Sequence, residues 1–179
     1  DDLVILKRAV QLIKRYRDIA YEKTPDLKPI SIVLTTLAAL HYNGQQSVND
    51  AILGILDGII ASIPAYGRLR VHNPTNKLED LSERWEDEPE LYRAFVSGMK
   101  EFRARWIELN QQRGIPNVKQ ALEKMFGERV AKDVVGDYMK ALDSSRLSGE
   151  LGIEKGSGII TSAYSAGSSI PRNTFDGDA

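Results

Sequence analysis

Apolar residues recur every three or four positions along most of this chain, which is the pattern of amphipathic helices. In the first segment they fall at Leu3, Leu6, Val10, Ile13 and Ala20. Proline and glycine interrupt the pattern at intervals and mark the connectors. Ser47 and Asn117 stand where helices start and are expected to cap them. The predicted helices are residues 3–21, 30–41, 47–63, 89–112, 118–126 and 128–142.

The longest stripe lies in the predicted helix 89–112. Its apolar members are separated by three or four residues, with charged residues between them. This spacing favours a buried core face over a platform for stacking nucleobases. The stripe consists of Leu91, Phe95, Met99, Phe102, Trp106 and Leu109.

Other segments have weaker patterns. Residues 68–71 are expected to be extended, and residues 72–85 to form a polar loop that turns into a short helix. Since strong strand signals are absent, we predict an all-α fold. From Ser144 onward serine and glycine dominate, so residues 1–143 are expected to form one helical domain and residues 144–179 a flexible Gly/Ser-rich tail.

Composition excludes several classes of function. The formal net charge of −1 gives no strong signal for a nucleic-acid or membrane partner. The absence of cysteine excludes disulfides and thiol nucleophiles and fits a cytoplasmic location. Two histidines make a zinc site improbable. No apolar run is long enough to predict a membrane-spanning helix.

The first candidate for chemistry is the start of the second helix, in the stretch KPISIVLTTLAALHY. The unpaired N–H groups of a helix start can hold a phosphate, and Ser31 adds a hydroxyl there. Lys14, on the basic first helix, could reach the same point if the two helices pack antiparallel. The alternative is that Ser31 is an ordinary first-turn serine and Lys14 a solvated cation.

The second candidate is Asn73, in the stretch HNPTN. The following proline disfavours helical backbone at Asn73, so its amide stands in a fixed loop and could bind a nucleotide. The alternative is an Asx turn that only shapes the backbone. The carboxylates at 86–88 precede Pro89, and a helix start attracts acidic residues without any metal.

Taken in order, the basic helix LKRAVQLIKRYRDI, the helix opening with Ser31 and the stretch VHNPTNKLEDLSERW resemble a known family. They are similar to the C-terminal helical half of bacterial cGAS/DncV-like nucleotidyltransferases (CD-NTases), with the CdnD-type branch most alike. A more distant likeness is to oligoadenylate synthetases. The resemblance covers roughly residues 3–126.

The resemblance implies a cyclic oligonucleotide synthase of the CBASS antiphage systems, which uses ATP and other nucleoside triphosphates. It also implies that Lys14 and Ser31 hold the donor triphosphate and that Asn73 closes on the nucleotide. The family's catalytic aspartates, which bind Mg²⁺, have no counterpart here. We therefore expect the catalytic half to be missing from this chain, and the fragment alone to be inactive.

The tail acquires a role from the same resemblance. CBASS operons often encode a ubiquitin-activating-type ligase that conjugates the synthase through its C-terminus. Such a ligase would recognise the last residues, with Phe175, Gly177, Asp178 and Ala179 as candidates. The alternative function is a helical interaction module, or a substrate that presents its tail, with no catalysis of its own.

Overall fold

A computed structural model describes residues 2–148, 151–153, 160–162 and 168–169. The chain divides into two compact units, Asp1–Gln111 and Gln112–Ala179. Within the described residues, no helix combines the length and apolar content needed to cross a membrane.

Unit 1 is mainly helical, with one small antiparallel hairpin. A 3₁₀ turn, Pro25–Leu27, lies in the proline-rich connector between the first two helices. The elements in chain order are α1 (Asp2–Ala20), α2 (Ser31–His41), α3 (Val48–Ala61), β1 (His72–Asn73), β2 (Asn76–Asp80), α4 (Arg84–Asp87) and α5 (Pro89–Gln111).

The core of unit 1 is built on α5. Phe95, Met99, Phe102 and Trp106 are all buried, which confirms that the stripe is a core face. The ring of Tyr16, on α1, stacks on Phe102 with centroids 3.9 Å apart and an interplanar angle of 6°. Helices α1, α2 and α3 also bury apolar residues. Helix α3 packs on α5, and α1 and α2 pack on α3 and on each other.

Two glycines of α3 let polar side chains approach its backbone. A Cβ atom at Gly58 would meet the His41 side chain at 2.6–2.8 Å, and one at Gly54 would overlap the end of the flexible Gln45 side chain. Because the contacts at Gly58 include Cβ and ring atoms of His41, which cannot easily move away, glycine at this position lets the end of α2 lie this close to α3.

The expected polar loop after residue 71 is partly a strand pair. His72 pairs with Asp80 and Asn73 with Asn76, with an irregularity between the two pairs. The short helix at the end of this segment is α4. Ser47 caps α3 as expected, because its hydroxyl oxygen accepts the Asp50 N–H.

Unit 2 contains α6 (Ile115–Phe126) and α7 (Glu128–Ser148), packed on each other. Gly127, with φ of +86°, separates them, since this backbone region favours glycine. The expectation that Asn117 caps α6 is wrong. The helix starts at Ile115, so Asn117 lies inside its first turn. The Asn117 side-chain amide donates back to the Arg113 carbonyl, which precedes the helix.

Three short strands follow α7: β3 (Leu151–Ile153), β4 (Ile160–Ser162) and β5 (Ser168–Ser169). They form an antiparallel sheet in the order β4-β3-β5. The proposed boundary between a domain 1–143 and a tail 144–179 stays a prediction. The all-α class itself is confirmed, because helices make up most of the described chain.

Gly98 of α5 provides a test of the core. A Cβ atom there would overlap the hydroxyl of Tyr21, which is buried and donates to the Ala94 carbonyl at 2.7 Å. Burial also raises the pKa of Tyr21 to about 12, so the hydroxyl keeps its proton. We expect Gly98→Ala to lower the free energy of unfolding by about 1–3 kcal/mol, measured by urea denaturation.

Gly136 is the matched control. It lies inside α7, and a Cβ atom there would touch nothing within 4 Å. Gly136→Ala should therefore stabilise α7 by about 0.4–1 kcal/mol through the lower entropy of the unfolded chain. Equal stability of Gly98→Ala and the parent chain would contradict the packing described for Tyr21.

Candidate functional site

Ser31 is the first residue of α2. The preceding residue, Ile30, has extended backbone (φ −71°, ψ 145°), and no side chain caps the helix. The first-turn N–H groups therefore lack the side-chain acceptor that Ser47 gives to α3. Such a helix start carries a partial positive charge and can hold an anion.

The side chain that reaches Ser31 is Arg17, in the last turn of α1. Its Nη1 donates to Ser31 Oγ at 2.5 Å and to the Pro29 carbonyl at 3.4 Å. On its other edge, Nε and Nη2 donate to Asp18 Oδ1 at 3.0 and 2.7 Å. With a side chain only 11% exposed, Arg17 is fixed in one place at the corner between α1 and α2.

Two further cations lie on the elements that form this corner. Lys28 lies 3.8 Å from Asp18 in the connector before α2. Lys14 is half-buried on α1, one turn before Arg17, and has no hydrogen-bond or ion-pair partner within the described part of the chain. Its expected role toward Ser31 stays a prediction, whereas the contact with Arg17 was not foreseen.

Asn73 lies in the hairpin, and its amide is engaged there. Its Oδ1 accepts from the N–H and the hydroxyl of Thr75 at 3.0 and 2.9 Å, and its Nδ2 donates to Glu79 at 2.6 Å. This is the Asx turn that the sequence left open as an alternative. A nucleotide contact by Asn73 stays a prediction.

A polar network at the base of the hairpin was not expected from the sequence. Apart from aromatic residues, Ser82 is the one buried polar side chain among the described residues, at 2% exposure. Its hydroxyl donates to Asp80 Oδ1 at 2.6 Å, and its oxygen accepts from the Val71 N–H at 3.0 Å. Arg68 Nη1 donates to the same oxygen at 3.1 Å.

Arg68 links this network to α4. Its Nη2 donates to Asp80 Oδ2 and to Glu86 Oε2, both at 2.8 Å. Arg70 lies 3.9 and 3.7 Å from the same two carboxylates. Burial would raise the pKa of Asp80, but hydrogen bonds from Ser82 and Arg68 outweigh it and lower that pKa to about 2.

The network adjoins the start of α2. A crevice of about 30 Å³ is lined by Pro29, Ile30 and Val33 together with Ser82 and Trp85. The two polar features of unit 1, the Ser31 corner and the Ser82 network, therefore lie on elements that share one crevice. The sequence signal was local and weak: a D-x-S turn before a short helix.

Metal donors are not grouped in the described residues, where no set of three or more His, Asp or Glu side chains could hold an ion. The expectation that Mg²⁺ is bound outside this chain stays a prediction. The tail candidates Phe175, Gly177, Asp178 and Ala179 lie outside the described residues.

A solved structure has a similar fold. The Bradyrhizobium diazoefficiens CD-NTase CdnG, solved in complex with GTP, matches with a TM-score of 0.61 and 21% identity. The match covers 75% of this chain and 40% of that chain. At this identity the match shows the fold alone, and that fold is part of a CD-NTase.

Sequence comparison gives a named relative. The chain is 33% identical over 176 residues to the c-di-GMP synthase of Roseivirga ehrenbergii. The alignment covers 97% of this chain and 46% of that protein, so the chain spans about half of the relative's length. No protein-family model matches. The resemblance to bacterial CD-NTases is confirmed, and assignment to the CdnD-type branch stays a prediction.

The charge on Asp80 gives a pH-dependent test. Its folded pKa lies below the ordinary value of 3.8, so its contribution to stability is present above about pH 4 and is lost as the pH falls to about 2. Asp80→Asn should lower the free energy of unfolding at pH 7 by about 1–3 kcal/mol. It should also flatten the acid dependence in urea denaturation between pH 4 and 2.

Asp87→Asn is the control, because Asp87 is an exposed carboxylate on the neighbouring α4. It should leave both the stability at pH 7 and the acid dependence close to those of the parent chain. An acid dependence that persists unchanged in Asp80→Asn would contradict the assigned network.

Proposed function

We propose that this chain is the nucleotide-binding helical part of a cyclic oligonucleotide synthase. The whole enzyme would join nucleoside triphosphates, ATP among them, through phosphodiester bonds and release pyrophosphate. Two relatives support the proposal: one is named a c-di-GMP synthase, and the other was solved with GTP. We further propose that the enzyme acts in the cytoplasm in antiphage defence of the CBASS type.

The observation that carries the proposal is the hydrogen bond from Arg17 to Ser31. Because Ser31 Oγ accepts from Arg17, its own proton is free to be donated to another acceptor. A phosphate oxygen in front of α2 would receive that proton together with the first-turn N–H groups. The hydroxyl is thus oriented for an anion before any ligand arrives.

Charge at the corner suits a triphosphate. Arg17 would neutralise phosphate oxygens without moving far, since Asp18 holds the opposite edge of its guanidinium group. Lys14, without an ion-pair partner in the described part of the chain, would add a second positive charge from the same helix. Asn73 would approach the nucleotide from the hairpin.

The chemical step itself is assigned elsewhere. We propose that aspartates in a region outside this chain bind Mg²⁺ and activate the attacking hydroxyl. The residues described here would bind and orient the donor triphosphate, so their loss should weaken nucleotide binding and misalign the leaving group.

Variants of the corner test this role in the full-length protein. Lys14→Ala combined with Ser31→Ala should reduce cyclic-product formation by about 100-fold or more, because two phosphate contacts are lost. The measurement is product formation from radiolabelled nucleoside triphosphates, resolved by chromatography. Arg17→Ala should give a loss of similar size.

Lys7→Ala is the matched control. Lys7 is an exposed lysine seven residues before Lys14, on nearly the same face of α1. Its removal should leave product formation within about twofold, because an exposed charge beyond the site contributes little. Normal synthesis by the Lys14/Ser31 double variant would refute the phosphate site.

A second proposed function concerns the tail. The last fifteen residues, SAGSSIPRNTFDGDA, are mostly small and carry few bulky anchors. Such a C-terminus could enter the narrow active site of a ubiquitin-activating-type ligase. The chain would then also serve as a substrate whose C-terminus is conjugated to another molecule, with Phe175, Gly177, Asp178 and Ala179 as recognition residues.

The two functions separate by deletion. Removing the last four residues should abolish conjugation by the ligase, because the terminal carboxyl group is lost from its recognition context, and should leave nucleotide synthesis unchanged. Conjugation is measured as a shift in denatured mass after incubation with ligase and ATP. The Lys14/Ser31 double variant should show the reverse pattern, and conjugation of the truncated chain would refute the tail role.

A further inference from the structure

The hairpin that carries Asn73 has almost no apolar attachment of its own. Four of the five β2 residues are exposed, and Leu78 near its tip is 96% exposed. A two-stranded hairpin without packing is marginal in water. Val71, just before β1, is buried, and polar contacts at the hairpin base add to this anchor in fixing the position of Asn73.

Hydrogen bonds at the hairpin base provide this attachment. Ser82 joins the residue before β1 to the end of β2. Its oxygen accepts from the Val71 N–H, and its hydroxyl donates to Asp80 Oδ1. The Leu81 N–H reinforces the join by donating to the Val71 carbonyl at 2.8 Å. Because Ser82 is buried, water does not compete well for these bonds.

Arg68 extends the attachment to the helical body. It contacts Asp80 at the end of β2 and Glu86 in α4. The backbone of the next residue, Leu69, is also fixed, because its N–H donates to the Tyr92 hydroxyl of α5 at 3.1 Å. The hairpin base is thus bonded to both α4 and α5.

The same attachment lies beside the segment that precedes α2. Ser82 and Trp85 line a crevice together with Pro29 and Ile30, the residues just before Ser31. The base of the hairpin and the start of α2 therefore share one crevice.

We propose that Arg68, Asp80 and Ser82 are positioning residues that hold Asn73 in register with the Ser31 corner for nucleotide binding. The inference rests on the proposed function and adds three residues that touch no substrate. They act through the hairpin, so their loss should weaken nucleotide binding more than it slows the chemical step.

The experiment uses Asp80→Asn in the full-length protein, with two readouts. Hydrogen exchange should show faster exchange of the hairpin amides at residues 72–80 and little change in α5. Steady-state synthesis should show a KM for the nucleoside triphosphate raised about tenfold, with kcat changed much less. Asp87→Asn, the exposed neighbour, should change neither readout.

A double variant separates positioning from a general loss of stability. If the network acts through Asn73, adding Asp80→Asn to an Asn73→Ala enzyme should raise KM little further. Adding Asp80→Asn to a Ser31→Ala enzyme should instead raise KM by the full factor seen in the parent enzyme. Equal multiplication in both backgrounds would overturn the inference. Glu86→Gln, which removes an exposed partner of Arg68, gives a milder variant should Asp80→Asn fold poorly, and it should shift both readouts in the same direction.

The outcomes distinguish the two proposals. Faster hairpin exchange with an unchanged KM, in an enzyme that does need Asn73 and Ser31, overturns the positioning role alone. Unchanged hairpin exchange overturns it as well, whatever the kinetics. If neither Asn73→Ala nor Ser31→Ala alters nucleotide KM or synthesis, the proposed function fails and the positioning role fails with it.

Discussion

Burial of one face of α5 is the interaction on which the rest of unit 1 depends. Phe95 and Phe102 are fully buried, and Tyr16 of α1 stacks directly on Phe102. A few residues away, Gly98 leaves room for Tyr21, whose hydroxyl donates to the α5 backbone. These contacts fix the last turns of α1 along α5, and burial of aromatic rings supplies most of the driving force.

The placement of α1 decides what its polar residues can do. Because the last turn of α1 is held by the core, Arg17 projects from a fixed point and reaches the first residue of α2. The corner at Ser31 is therefore a consequence of aromatic packing elsewhere. The hairpin differs, because hydrogen bonds that join Ser82 and Arg68 to Val71 and Asp80 at its base help to hold it.

Comparison of expectation and structure shows where local patterns are informative. The buried face of α5 was predicted from the spacing of its apolar residues, and the cap of α3 from the Ser47 side chain. Both predictions are confirmed. The start of α6 was placed too late, because Asn117 resembles a cap but lies inside the helix. The hairpin at residues 72–80 was expected to be a loop, since its strands are short and polar and lack apolar alternation.

The sequence by itself determined the helices, the core face of α5 and the serine at the start of α2, because periodicity and capping act over a few neighbouring residues. Only the tertiary structure decided that Arg17 contacts Ser31, and that Arg68 joins Asp80, Ser82 and Glu86. These partners are separated by 12 to 18 residues. At such separations the folded path of the chain, and not local spacing, sets which side chains meet.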